Sequence, residues 1–120
     1  MIKLIPKLPA DVVGFIVSEQ LTANDYESVL IPAVESLLKQ HQKVRILCHL
    51  SPAFTGFSAG AIWDDAKLGL GHLNAWEKIA IVTDKKWIKS ATDIFKFAIP
   101  CPLKVYANEQ YDEAELWIVS

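Results

Sequence analysis

The chain has 120 residues and a net formal charge of −2, with 12 Lys and Arg against 14 Asp and Glu. That length suits one domain, 1–120, and an apolar content of 52% supplies a real core and excludes a disordered segment. The charge balance excludes a nucleic-acid binder, which needs a basic face. In chain order, residues 2–8 and 12–18 read as two strands around Pro9-Ala10-Asp11, an antiparallel hairpin at one sheet edge. Thr22 fits a helix N-cap with Asp25 as the capping-box acid. Tyr26, Val29, Leu30, Ala33, Val34, Leu37 and Leu38 then recur at the three-four spacing of one helix face. Pro32 lies inside that run, and its missing donor predicts a kink. Residues 43–50 form a third strand with too little alternation to face water, as in a central parallel strand. A second helix runs from Ser58 to about His72. Lys78–Thr83 is a fourth strand, and Asp84 is placed to cap a third helix whose Trp87, Ile88, Ala91, Ile94, Phe95 and Ala98 share a face. Pro100 and Pro102 stop that helix. Leu103–Tyr106 is a short fifth strand, and Asn108 caps a last helix over 109–118. The order predicts an α/β fold, with helices packed on a mixed sheet of about five strands.

Several chemistries are excluded by what the residues lack. No window approaches the roughly 20 apolar residues of a membrane helix, and the N-terminus lacks the h-region of a signal peptide. Cys48 and Cys101 lie far apart without a CxxC partner, which points to a reducing, cytoplasmic compartment. Cys48 and His49 are metal-ligand types, but neighbouring strand residues face opposite ways and cannot grip one ion. No metal or other cofactor is expected. Asp64 and Asp65 point about 100° apart on a helix and do not form an acid–base couple. Lys85, Lys86 and Lys89 are flanked by Asp84 and Asp93 and read as a solvated face.

The most informative stretch is Lys43 to Lys67. An apolar strand empties into a loop with Pro52, Thr55 and Gly56, which opens a helix near Ser58. A strand end that feeds a helix N-terminus is where an open α/β sheet places its ligand crevice. Gly56-Phe57-Ser58-Ala59-Gly60 matches the G-x-S-x-G nucleophile elbow. A hydrolase also needs an acid and then a histidine after the serine, and only Asp64 and Asp65 lie between Ser58 and His72. Both sit on the serine's own helix, so no catalytic constellation is expected. Ser58 reads first as a helix N-cap and second as a regulatory or ligand-binding hydroxyl. Phe54, Phe57, Trp63, Leu68, Leu70, Phe97 and Ile99 exceed what single helix stripes require. They complete the core, line an apolar pocket or bury a subunit interface.

Four blocks carry a family resemblance over nearly the whole chain. They are Leu21-Thr22-Ala23-Asn24-Asp25-Tyr26, Leu30-Ile31-Pro32-Ala33-Val34-Glu35, Gly60-Ala61-Ile62-Trp63-Asp64-Asp65-Ala66-Lys67, and Ile79-Ala80-Ile81-Val82-Thr83-Asp84-Lys85-Lys86-Trp87. With them the chain resembles the SpoIIAA-like family of small bacterial proteins, relatives of the STAS domains that antagonise anti-sigma factors. The resemblance implies a sheet of about five strands with helices on it. It also places Ser58 on the phosphorylatable serine of antagonist STAS domains, with Phe57 where they carry an acid and Ala59 where they carry a second serine. The fold is similar to that of the CRAL-TRIO domains, which hold apolar ligands in a crevice.

The expectation is therefore a non-enzymatic binding module. Its crevice, beside Phe54, Thr55, Phe57, Ser58 and Trp63, takes a small, largely apolar molecule. The alternative is a STAS-type regulator that docks a protein partner through the same loop and is switched by phosphorylation at Ser58. The spare apolar side chains of the third helix, Phe97 and Ile99 among them, predict a homodimer.

Overall fold

The strands pair in the order β1-β2-β3-β4-β5. In the computed structural model, which describes residues 1–71, 73–96 and 99–120, they span Ile2–Leu4, Val12–Leu21, Val44–Phe57, Trp76–Val82 and Leu103–Tyr106. The first pair is antiparallel and the remaining three are parallel. Each crossover from β2 onwards therefore steps to the next strand in the same direction. Right-handed crossovers that never reverse must stack their helices on one face of the sheet. The cores agree. One cluster joins Val17, Leu50 and Phe54 to Val34, Ala61, Leu68 and Ile88, which belong to α2 (Ile31–Leu38), α3 (Ala59–Gly71) and α4 (Lys86–Phe95). The other joins Leu47, Ala80 and Val82 to Ala114 and Ile118 of α5 (Tyr111–Val119) on the opposite face, with Ile5 and Leu8 of the β1–β2 connection packed beside them. Arg45 secures α5 from beneath: its Nη1 donates to the Ile118 carbonyl at 2.9 Å, while its Nε pairs with Glu77. No described helix is long and apolar enough to cross a membrane.

The first helix is a composite. Thr22 and Asp25 form the expected capping box, each accepting the other's backbone N–H. After α1 (Ala23–Asp25) the backbone widens into a π-turn over Tyr26–Leu30 before α2 begins. Pro32 sits at the start of α2, where its missing donor falls beside the displaced hydrogen bonds of the π-turn. The predicted kink is thus realised as a change of helical register.

Three other local expectations are corrected. The segment after residue 50 is not a loop, because β3 continues to Phe57 along β2. Residues 51–53 bulge out between the Val17–Leu50 and Glu19–Phe54 pairs, next to Glu19, which adopts φ 60, and Pro52 is tolerated there because β4 pairing has already ended at His49. Gly56, at φ 140, takes a conformation that side chains disfavour. Asp84 does not cap α4. Its Oδ1 accepts the Asn108 N–H at 2.9 Å, while the Lys85 N–H turns back to the Thr83 hydroxyl. Asn108 opens a single 3₁₀ turn ahead of α5, and its side chain is spent on His49 and Leu50.

Candidate functional site

The junction between β3 and α3 is a closed, well-bonded corner. Ser58 Oγ accepts the Ala61 N–H at 3.1 Å, and the Ser58 N–H donates to the Leu21 carbonyl at 2.9 Å. The serine is the cap of α3. Gly60 permits a close approach of α3 to α1, since a Cβ there would lie 2.9 Å from the Ala23 Cβ. The N–H groups at the start of α3 are therefore partly occupied by the cap and overlain by α1.

The sequence-expected contact residues separate into two groups. Phe54 is only 1% exposed and belongs to the core. Thr55 is exposed, Ser58 is half-buried, and Trp63 stands 65% exposed on the outer side of α3. Phe57 links the two environments. Its ring meets Phe54 edge-to-face at 5.3 Å and Trp87 edge-to-face at 6.1 Å. Trp87, at the start of α4, is 52% exposed, and Ile94 seven residues on is 70% exposed. Residues seven apart share one flank of a helix. The other flank of α4, with Lys89, Thr92, Asp93 and Lys96, faces β5. Trp87 and Ile94 thus lie on the flank turned away from β5, the side on which Trp87 meets Phe57. With Ile62 and Trp63 of α3 they put four large apolar side chains at the surface of one sheet layer. Phe97, expected at a subunit contact, and His72 lie outside the described residues, and Ile99 is half-buried.

Under the same corner lies a polar group that the sequence did not bring together. The buried Tyr26 hydroxyl donates to Asp65 Oδ1 at 2.8 Å, bracing the π-turn against α3. Burial, then the Asp65 charge, pushes the Tyr26 phenol well above its ordinary range. Cys48 shares this environment, and its thiol is pushed up by burial and again by Asp65. Asp65 is exposed as a residue, and desolvation of its carboxyl by the surrounding protein raises its pKa against the lowering effect of the Tyr26 hydrogen bond. Asp64 is 5% exposed, with Lys67 Nζ 3.9 Å from Oδ1 and no hydrogen-bond partner for Oδ2 among the described residues. These shifts favour neutral forms of the tyrosine and cysteine. Among the described residues, no set of three metal-ligand types comes together.

His49 is on the other side of the sheet. Its Nε2 lies 2.7 Å from Asn108 Oδ1, and its ring packs on Tyr111 at 4.7 Å. Ser58 and His49 therefore cannot act on one substrate atom. Two cavities lie away from residues 54–63. A groove of about 470 Å³ follows β5 between α4 and α5, and an apolar hollow of about 200 Å³ lies between the β1–β2 connection and α2.

The SpoIIAA-like family model matches residues 12–119, nearly the whole sheet and every helix described above. The chain belongs to the SpoIIAA-like family. A similar solved structure is that of an uncharacterised protein of the DUF3478 family with a SpoIIAA-like fold from Shewanella loihica PV-4. It is 27% identical, with a TM-score of 0.78 over 98% of this chain and 92% of its own. A search of curated proteins gave no significant match. This SpoIIAA-like chain has the expected mixed sheet, and its overall fold is similar to that of this structural neighbour. Trp87 and Ile94 were legible as one helix face, but the pattern did not say that they would remain exposed. Tyr26 and Asp65 carried no pairing signal at a separation of 39 residues.

Proposed function

We propose that this protein is a non-enzymatic interaction module that contacts a protein partner through its α3–α4 surface, with Trp87, Ile94, Trp63 and Ile62 as the apolar anchors. The observation that carries this reading is their exposure, 52–70% on two helices of one layer. Single exposed apolar residues are ordinary, but a group of large ones marks a contact surface. Trp is also the residue type most enriched among binding hot spots. A non-enzymatic role is supported by Ser58, whose hydroxyl is engaged as a cap on the face opposite His49, and by the neutral Cys48 thiol. Both cysteines are free, which suits the reducing cytoplasm.

A second reading, a small apolar ligand, is favoured by Phe57, half-buried between Phe54 and Trp87 at the mouth of the same face. Native mass spectrometry and affinity capture on wild type and the Trp87→Ser, Ile94→Ser double variant separate the two. Protein capture lost in the variant, with an unchanged melting temperature, supports the interaction module. A co-purified small molecule released by the variant supports the ligand instead. If Ser58 is a switch, Ser58→Asp alters partner capture in a folded protein, because a carboxylate still caps the helix while adding charge. Ser58→Ala should cost about 0.5–2 kcal/mol of stability through the lost cap. Covalent labelling of Ser58 by a fluorophosphonate would overturn the non-enzymatic reading.

A further inference from the structure

Among the described residues, no strand pairs with the outer edge of β5. Its inner side bonds to β4: Ile79 N–H donates to the Pro102 carbonyl at 3.0 Å, and Thr83 N–H to the Tyr106 carbonyl at 2.8 Å. In a parallel ladder alternate residues point both backbone groups to the same side. Lys104 and Tyr106 therefore face β4, which leaves the N–H and C=O of Leu103 and Val105 directed outwards. Such a row is a template for another strand unless something covers or disfavours it. Here it forms the floor of the groove of about 470 Å³, with α4 as one wall and Glu113 of α5 on the other side.

We propose that this groove takes an extended acidic peptide segment, which adds to β5 as a sixth strand. Main-chain bonds to Leu103 and Val105 would supply affinity, and the groove's charges would select the peptide. Lys89, Lys96 and Lys104 line it against Asp93 and Glu113, and Asp93 lies 3.8 Å from Lys96. The groove is thus net positive on a chain whose net charge is −2. Lys104 lies over the Trp117 ring, 4.9 Å from its centroid, so its stem is steadied at the rim. Pairing of this edge with its own copy about a two-fold axis at Lys104 would oppose two ammonium groups, whereas an acidic strand meets them with carboxylates. The surface is separate from the α3–α4 face, and the inference does not depend on the function proposed for that face.

The test uses a fluorescein-labelled peptide of alternating Glu and Val, with a Lys–Val peptide as control, read by fluorescence anisotropy and by amide exchange. The Glu–Val peptide should bind, weaken with salt, and slow exchange at Leu103 and Val105 but not at Lys104 or Tyr106. Lys104→Glu should weaken it about tenfold, equivalent to about 1.4 kcal/mol. Val105→Pro removes one outward donor without touching the β4 ladder, a position at which edge strands accept proline, and should abolish binding. If Val105→Pro fails to fold, Lys104→Glu and the exchange pattern carry the test. Equal binding of the two peptides, undiminished binding to a folded Val105→Pro, or no binding would each overturn the proposal. So would a wild-type dimer that Val105→Pro converts to monomer, since a second copy would then occupy the edge.

Discussion

Asp65 and Tyr26 are joined by one hydrogen bond, yet the carboxylate pays for its position through desolvation. Its pKa is raised in the folded protein. The folded state therefore binds more protons than the unfolded state at pH values above the usual Asp pKa of about 3.9. Stability from this group is present in acid and is lost as pH rises through the raised pKa. Asp65→Asn keeps an oxygen that can accept the Tyr26 hydroxyl and removes the charge. It should raise the melting temperature at neutral pH and lose that advantage towards pH 4, as thermal melts across a pH series would show. A variant less stable than wild type at pH 7 would mean that the charge itself is needed. Asp64 breaks the same rule more severely, with a buried oxygen lacking a hydrogen-bond partner among the described residues. Ordinary packing does not favour such a group, so the corner under Trp63 carries more polarity than the fold requires.

Among the elements, the first helix shows how a local rule is satisfied by an unexpected geometry. A proline in a continuous α-helix removes a donor and crowds the preceding turn. Here the π-turn over Tyr26–Leu30 lies directly before the α-helical run that contains Pro32. It also carries the buried Tyr26 that reaches Asp65. Because the π-turn is held by that tertiary contact as well as by the proline, Pro32→Ala should leave it in place. The exposed site should change stability by less than about 1 kcal/mol in urea unfolding. A change above about 2 kcal/mol would show that the proline itself sets the register. The fourth helix divides its work by flank: Ile88 packs on the sheet, Trp87 and Ile94 stand at the surface, and Lys89 and Lys96 line the β5 groove.

At the scale of the molecule, the monotonic strand order governs where binding can occur. A crevice at a topological switch point requires the order to reverse, and here it does not. The α3–α4 layer and the β5 edge are two of the surfaces that remain accessible. The apolar flank of α4 is a candidate for two-fold self-contact, which needs one patch that complements itself. Sedimentation at high micromolar concentration should show a homodimer that Trp87→Ser with Ile94→Ser converts to monomer. A wild-type monomer would return that flank to the service of other partners.

The sequence by itself determined the strand and helix order, the Thr22–Asp25 capping box, the cap at Ser58 and the family. These depend on neighbours three or four residues apart or on contiguous apolar runs, and such information is local. The continuation of β3 past Pro52 was hidden because it depends on pairing that resumes at Glu19 of β2, beyond a bulge over residues 51–53. Asp84 and Asn108 were read as caps from composition, but they bond to each other across 24 residues, a choice made when β4 and β5 align. The candidate site followed the same division. Ser58 and Phe57 were found from their position between a strand and a helix. The burial of Phe54, the exposure of Trp87 and Ile94, and the Tyr26–Asp65 contact were decided by tertiary structure, because one helix face can be covered or left open without any change in its own periodicity.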